Sequence, residues 1–363
     1  RRRVGDGVRL GAVVKSNAYG HGMLEVARVA IDAGADWLCV NNVDEGVALR
    51  TAGFACPIHV MGFVPHDRLI EIAALELRPV VYNDATVDGL AAAARSTGKP
   101  VAVHLKAETG THRQGVPENE LERFVDRIRA AGPHLALEGL TTHYANIEDT
   151  TDHGYAEQQI AAFTRVLGIV EDRIGARVPV RHTACSAAAL LFDRTHGDLV
   201  RIGISTYGLW SSRETMVSYR ERRDRPIELR PALTWKTRVA QLSWVPEDGY
   251  VGYGCTYRTT RPTRIAVLPV GYHEGYDRRL SGVAHVLVGG RRAPVRGRVC
   301  MNMCMVDVSD VPDVAVEDEV VLIGTQGRET VTADQVAAWS GTIHYEVVTR
   351  IPVSYTHLTL PTT

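Results

Sequence analysis

Gly11-Ala12-Val13-Val14-Lys15 is an apolar run ending on a lysine. Ser16-Asn17-Ala18-Tyr19-Gly20-His21-Gly22 follows as a small polar loop, and Met23–Ala33 then has helical spacing. This order of strand, loop and helix recurs along the chain. Further apolar runs stand at Trp37–Asn41, Ile58–Gly62, Pro79–Tyr82, Val101–Glu108, Leu137–Ala145, Pro179–Ser186 and Leu199–Ile204. Helical stretches lie between them, among them Glu120–Ala131 and Tyr155–Arg173, where Ile160, Phe163, Leu167 and Val170 recur on one face. Gly34, Gly53, Gly98, Gly132 and Gly175 stand where helices want a left-handed closing residue. Alternation alone would also describe a doubly wound open sheet, but eight strands favour a parallel (β/α)8 barrel of the TIM type.

The pattern changes after Ser212. A charged stretch, Arg213–Arg230, reads as a linker. Beyond it Trp235–Val245, Arg264–Val270, Ala284–Val288 and Val320–Ile323 are Val-rich runs between Gly and Pro turns, as in a mainly-β domain. The expected division is a barrel over 1–220, a β domain over 221–353 and an atypical tail over 354–363. With 45% hydrophobic and 23% charged residues the chain has the make-up of a globular protein. Its formal net charge of -1 gives no reason to expect nucleic acid or an anionic membrane as partner. The basic start, Arg1-Arg2-Arg3, reads as a helix end or a solvated face. No apolar run approaches the roughly 20 residues that span a bilayer, and no secretory leader opens the chain. Six cysteines (Cys39, Cys56, Cys185, Cys255, Cys300, Cys304) lie in apolar surroundings without a CxxC pair. They read as buried reduced thiols of a cytoplasmic protein.

In such a barrel, functional groups project from the C-terminal ends of the strands. Those ends supply Lys15, then Lys106 with Glu108 and Arg113, then His143, His182 with Ser186, and Arg201. Any one of them alone would read as a rim or core residue; together they form a constellation. Lys15 ends an apolar strand, so burial should lower its pKa and free the amine as nucleophile and base. Tyr19 in the following loop is placed to offer a hydroxyl to an anion. Ser186 opens a helix, and Gly203 and Ile204 add main-chain donors, a phosphate cradle at the ends of strands seven and eight. A lysine and a phosphate cradle in one mouth suit a phosphorylated aldehyde.

The motifs resemble those of the alanine racemase family. Val14-Lys15-Ser16-Asn17-Ala18-Tyr19-Gly20-His21-Gly22 is similar to that family's cofactor-lysine signature. The likeness continues through Thr109-Gly110, Arg113-Gln114-Gly115, Thr142-His143-Tyr144-Ala145, Ser186-Ala187-Ala188 and Arg201-Ile202-Gly203-Ile204. It extends through Tyr207-Gly208, Gly252-Tyr253-Gly254, Tyr257, Gly271-Tyr272 and Gly297-Arg298-Val299-Cys300-Met301. The resemblance implies an isomerase that interconverts L- and D-alanine with pyridoxal 5'-phosphate, supplying D-alanine for peptidoglycan. It implies a homodimer whose active sites are shared, each completed by the partner's β domain. Lys15 would carry the cofactor as a Schiff base, and Lys15 and Tyr253 would be the two bases, with no metal. It implies cofactor contacts from Tyr19, His143, Ser186, Arg201, Gly203 and Ile204, with Arg201 facing the ring nitrogen and, with His143, assisting Tyr253. Arg113 and Met301 would hold the substrate carboxylate, Lys106 matches a position often carbamylated, and Tyr272 and His182 take entrance and supporting places.

The sequence departs from the family pattern in several places. Cys185 stands for a frequent asparagine and Asn302 for a common aspartate. His273-Glu274 replaces the usual Ala-Asp near the substrate entrance, which opens serine or a broader substrate range as the alternative. The chain starts almost at the first barrel strand, without the β-domain strand and helix that precede it in relatives. Ser354–Thr363 departs from the family tail and reads as foreign or disordered, with Tyr355 out of pattern. Two other readings compete. One is a non-catalytic pyridoxal-phosphate-binding barrel, against which the β domain with Tyr253 argues. The other is a metal-dependent hydrolase, which would show a His-x-His pair on an early strand.

Overall fold

The computed structural model describes residues 1, 3–223 and 226–352. The chain forms two compact units, Arg1–Ala18 with Met23–Arg230, and Tyr19–Gly22 with the chain from Pro231 onward. The tail 354–363, with Tyr355, and Arg2 of the basic start lie outside the described residues.

Among the described residues of the first unit, eight strands form one parallel sheet. They are β1 (Arg9–Val13), β2 (Trp37–Val40), β3 (Ile58–Val60), β4 (Arg78–Val81), β5 (Val101–Lys106), β6 (Leu135–Thr141), β7 (Val180–His182) and β8 (Leu199–Ile202). Each pairs with its sequence neighbour from β1 to β7, and β1 also pairs with β8. The ring closes through two main-chain bonds, Asp198 N–H to Arg181 O at 2.8 Å and Arg201 N–H to Ala184 O at 2.9 Å. Strands β2 and β3 are buried along their whole length. That is why they read as unbroken apolar runs rather than alternating ones. The barrel predicted from the alternation is the fold.

The helices arise from local signals. Asn42 and Asn83 cap Val43–Thr51 and Asp84–Thr97, each accepting a bond from the third residue on. Leu121, Phe124, Val125 and Ile128 give Leu121–Ala130 its buried stripe. Gly98 and Gly175 close their helices in the left-handed region, at φ 69° and 68°. Gly132 is not left-handed. Pro133 after it disfavours the helical basin at residue 132, and Ala131 ends that helix instead.

Three further expectations are corrected. Arg213–Arg222, expected as linker, is a helix whose cap is Ser212, the side chain accepting from Thr215 N–H. Its charges had masked a short element that buries only Thr215, Ser218 and Tyr219. The basic start is tied down as well as exposed at Arg1: Arg1 bonds Val8 O and Asp36, and Arg3 bonds Leu190 O and Asp193. Cys255 is exposed, although Cys39 and Cys304 are buried and no cysteine is paired in a disulfide.

The second unit is built mainly of antiparallel strands. Thr263–Leu268 is the centre of a three-stranded sheet with Gln241–Val245 and Cys304–Asp307. Glu319–Gln326 pairs with His285–Val288, Glu329–Val331 and Trp235–Arg238, and Arg291–Pro294 extends that sheet. Two helices, Ala333–Ser340 and His344–Thr349, had not been foreseen. The first carries a full capping box of Thr332 and Gln335. No helix of the described residues is long and apolar enough to cross a membrane.

Replacing Ser212 with alanine removes the cap of Arg213–Arg222 and its bond to Glu148 O. We expect a loss of about 1–2 kcal/mol in denaturant unfolding, with Ser212→Asp retaining most of the stability.

Candidate active site

All eight strands are parallel, so their C-terminal ends share one rim. Lys15 lies two residues past the end of β1. Immediately after Lys15 the chain makes a turn of left-handed helix rather than an ordinary loop: Ser16, Asn17, Ala18 and Tyr19 have φ of 53°, 54°, 53° and 54°. None of these is glycine, and such a conformation costs roughly 1–2 kcal/mol per residue. Local bonds hold it. Glu45 accepts from Ser16 N–H at 2.6 Å with one carboxylate oxygen and from Asn41 N–H at 2.7 Å with the other. Ala18 N–H reaches back to Val14 O, and Asn17 Oδ1 accepts Met23 N–H at the start of the next helix. Strain of this kind concentrates at functional positions.

Lys15 is partly buried, and its amine is held below the ordinary lysine value. Burial is the main cause and the Arg113 guanidinium adds to it, while Glu45 works in the opposite sense. Lys106, at the end of β5, is pushed down to about 8 by burial, then by Arg201 and Arg113. Its ammonium donates to Gln114 Oε1 at 3.2 Å, and Gln114 in turn donates to the Tyr82 hydroxyl. His143, just beyond β6, is pushed to about 3 by burial, with Arg201, Arg113, Lys106 and Lys15 all adding to the effect. The influences on Lys15, Lys106 and His143 put these groups with Arg113 and Arg201 in one electrostatic neighbourhood, a mouth made for anions.

Arg201 is buried within the barrel. One terminal nitrogen donates to Thr141 Oγ1, His182 Nδ1 and His182 O at 3.1, 2.6 and 2.9 Å; the other donates to Thr142 O and Thr183 O. Its Nε has no hydrogen-bond partner among the described residues. Ser186 begins the helix Ser186–Leu191, and its hydroxyl oxygen accepts Gly203 N–H at 3.0 Å and Ser205 N–H at 3.4 Å. Gly203 N–H is thus committed to a side chain, while Ile204 opens a helical turn where leading N–H groups lack intrahelical partners. Ser205 Oγ beside them is buried and has no partner among the described residues. Tyr207 joins the ends of β8 and β1 by donating to Val13 O at 2.7 Å.

The remaining expected residues lie in the second unit. The ring of Tyr19 is 6.0 Å from that of Tyr345. Tyr253, Tyr272 and Met301 are all exposed, Tyr253 most of all at 73%. Glu274, expected to bear on substrate choice, has its carboxylate engaged. One oxygen accepts Gly271 N–H at 2.9 Å and the other accepts the Asn302 amide at 2.6 Å. The two departures from the family pattern therefore belong together, because an aspartate at 302 would face Glu274 with a second negative charge.

Comparison with known proteins points the same way. Residues 1–211 match the model of the alanine racemase N-terminal domain, and residues 232–358 that of the C-terminal domain. The chain belongs to the alanine racemase family. Alanine racemase of Halothermothrix orenii is 41% identical over 357 residues, covering 97% of this chain and 91% of the relative. That of Symbiobacterium thermophilum is 42% identical over 350 residues, covering 96% and 90%. Among solved structures, alanine racemase from Bacillus anthracis with bound L-Ala-P has a TM-score of 0.88 at 36% identity, covering 97% of this chain and 88% of that one. Alanine racemase from Bartonella henselae with covalently bound pyridoxal phosphate has a TM-score of 0.83 at 25% identity, covering 96% and 92%. The expectation of an amino-acid racemase on a barrel followed by a β domain is borne out.

Three residues of the alanine racemase barrel escaped the sequence reading: Glu45, Gln114 as the partner of Lys106, and Glu138. Glu45 was disguised. It stands three residues after the cap Asn42, where a glutamate would ordinarily serve its own helix, and here its carboxylate serves Ser16 and Asn41 instead.

This geometry has two testable consequences. Glu45→Ala removes two charge-assisted bonds from the left-handed turn, so we expect a loss of about 2 kcal/mol or more in urea unfolding and a further fall in the Lys15 pKa. The second concerns acid. His59, His104, His143 and His182 are all held below the usual histidine value, chiefly by burial. The unfolded chain binds protons below about pH 6.5 that the folded chain refuses. Stability is therefore fully present above that pH and declines as the pH falls toward 3, the value for His143. Urea midpoints measured from about pH 7.5 down to about pH 5 should fall steadily; a flat profile would contradict neutral histidines.

Proposed function

We propose that this protein is a pyridoxal-phosphate-dependent alanine racemase that works as a homodimer and supplies D-alanine for peptidoglycan in the cytoplasm. The observation that carries the reading is the amine of Lys15. It is held below the ordinary lysine value on a strained turn at the mouth of the barrel, beside a guanidinium and on the same rim as Ser186. The residues present fit the cofactor. Ser186 keeps its own O–H to donate, Ile204 offers a main-chain N–H, and the partnerless Ser205 Oγ lies next to both, a set suited to phosphate. The Nε–H left over on Arg201 suits a ring nitrogen, which a donor-only guanidinium would keep unprotonated. The covalently bound pyridoxal phosphate of the Bartonella henselae relative supports the same cofactor.

When bound, pyridoxal phosphate supplies an electron sink for the electrons left on the substrate Cα. The rest falls to the chain. Lys15, its charged form disfavoured by burial, takes and returns a proton at Cα on one face of the substrate. Tyr253 of a second copy does so on the other face, and its 73% exposure on its own chain leaves it available for that task. His143, neutral throughout the working range, and Arg201 support the tyrosine. Arg113, with Met301 of the second copy, orients the substrate carboxylate.

Lys106 is the position we assign to carbamylation. With its pKa near 8, the amine is neutral often enough to add carbon dioxide, losing a proton as the N–C bond forms. The resulting negative charge would offset Arg113. Tyr19 is assigned to the phosphate, and Tyr272 and His182 to the entrance and to support. The internal pairing of Glu274 with Asn302 supports alanine over a broader substrate range, since both carboxylate oxygens of Glu274 are engaged within the chain.

Borohydride reduction of the cofactor-loaded protein should place a pyridoxyl label on Lys15. L-alanine should be racemised in preference to L-serine, and Lys15→Ala and Tyr253→Ala should each lose at least about 100-fold in turnover. Mixing the two inactive variants should restore activity through hybrid dimers. A label at another side chain, or no recovery once chain exchange is confirmed, would remove the shared site.

A further inference from the structure

Behind Arg201 a line of hydrogen bonds crosses the barrel. Arg201 donates to His182 Nδ1 at 2.6 Å, His182 Nε2 lies 2.7 Å from His104 Nδ1, and His104 Nε2 lies 3.0 Å from Glu138 Oε2. Arg78 donates to the same carboxylate oxygen at 2.9 Å. We propose that His104 and Glu138 are positioning residues for Arg201, forming with His182 a proton-ordered line that fixes the guanidinium and leaves its Nε–H for the cofactor it would hold. The role at the ring rests on the function proposed above; the line itself does not.

The protons in it are determined by chemistry. A guanidinium only donates, so His182 Nδ1 must accept and its proton must sit on Nε2. That proton is given to His104 Nδ1, which forces the proton of His104 onto Nε2, where it is given to Glu138. Both rings are therefore neutral and share one tautomer. Burial, the leading influence on both imidazoles, holds them in that form. Reversing either ring would set two donors or two acceptors against each other. The line has one stable direction, from the cation to the carboxylate.

Two backbone features are built around it. In the pairing of β5 with β6, Val103 faces Leu137 while His104 faces Gly139, so Glu138 is the extra residue of a bulge. A bulge re-aims a side chain that strict alternation would point elsewhere. Gly139 makes the room, since a Cβ there would lie 2.2 Å from His104 Nδ1. The arrangement also answers a problem of charge. A guanidinium buried in a barrel is costly without a counter-charge, and none of the side chains that accept from Arg201 is a carboxylate. Two polarised imidazoles bring the influence of Glu138 to it.

His59 packs against both rings, at centroid distances of 4.6 and 5.1 Å, and the ligand nitrogens of the three histidines lie within 4.8 Å of one another. A metal ion is the competing use of that cluster. It is disfavoured because His104 and His182 already use both ring nitrogens, and a guanidinium stands 2.6 Å from one of them.

The test is ¹⁵N spectroscopy of the histidine rings in the full chain, with and without pyridoxal phosphate, together with kinetics of His104→Leu, Glu138→Ala and Glu138→Gln. We expect both His182 and His104 as neutral Nε2–H tautomers from about pH 6 to about pH 8 in either state. Outer partners that orient an active group are typically worth about 10–100-fold. His104→Leu and Glu138→Ala should accordingly lower kcat by about 10-fold or more while KM for alanine stays within about 2-fold. Glu138→Gln keeps an acceptor without the charge and should fall between wild type and Glu138→Ala, with the His182 tautomer unchanged. An Nδ1–H or charged ring at either histidine overturns the proposal, as does an ion bound at the three histidines on zinc titration. Unchanged kcat in folded Glu138→Ala, in protein that still labels at Lys15, overturns it while leaving the racemase reading intact. Failure to label at Lys15 with the tautomers as expected does the reverse.

Discussion

A single buried guanidinium holds together the part of the barrel where the sheet is weakest. β7 is only three residues long, and two main-chain bonds close the ring between it and β8. The carbonyls of Thr142, His182 and Thr183 therefore emerge from β6 and β7 in need of donors. Arg201, rising from β8, supplies them with both of its terminal nitrogens. Once those nitrogens are committed, the side chain has no freedom to turn, and the Nε–H is left for whatever occupies the mouth. Barrel closure and the proposed hold on the cofactor thus draw on the same group.

The rim is organised by its positive charges. Burial lowers the tendency of Lys15 and Lys106 to carry a proton; Arg113 adds to this at both lysines, and Arg201 and Lys15 add to it at Lys106. An enclosure of this kind favours anionic groups such as a phosphate or a carboxylate, and it leaves two amines reactive. The strained turn after Lys15 works in the same direction. Four left-handed residues cost several kcal/mol taken together, and Glu45 offsets part of this with bonds that also set its charge near the amine.

The second unit contributes in a different way. Its Tyr253, Tyr272 and Met301 are exposed rather than buried, as groups must be if they are to meet a partner or a substrate. Glu274 and Asn302 bond each other beside Met301, so these two departures from the family pattern form one internal pair.

The sequence by itself determined the eight-fold alternation, the change to antiparallel strands and the rim positions of Lys15, Lys106, His143, Ser186 and Arg201. It could do so because burial on both faces of a parallel strand leaves an apolar run, and the residue that ends such a run stands at the rim. The helix Arg213–Arg222 was hidden because its charges outweigh a narrow buried face, and Gly132 misled because Pro133 governs its backbone. Only the tertiary structure decided that Glu45 serves the lysine turn and that Glu138 is turned inward by a bulge beside Gly139. Both depend on which backbone lies across from which, and a hydrogen bond between residues 29 or 34 positions apart leaves no periodic trace in the chain.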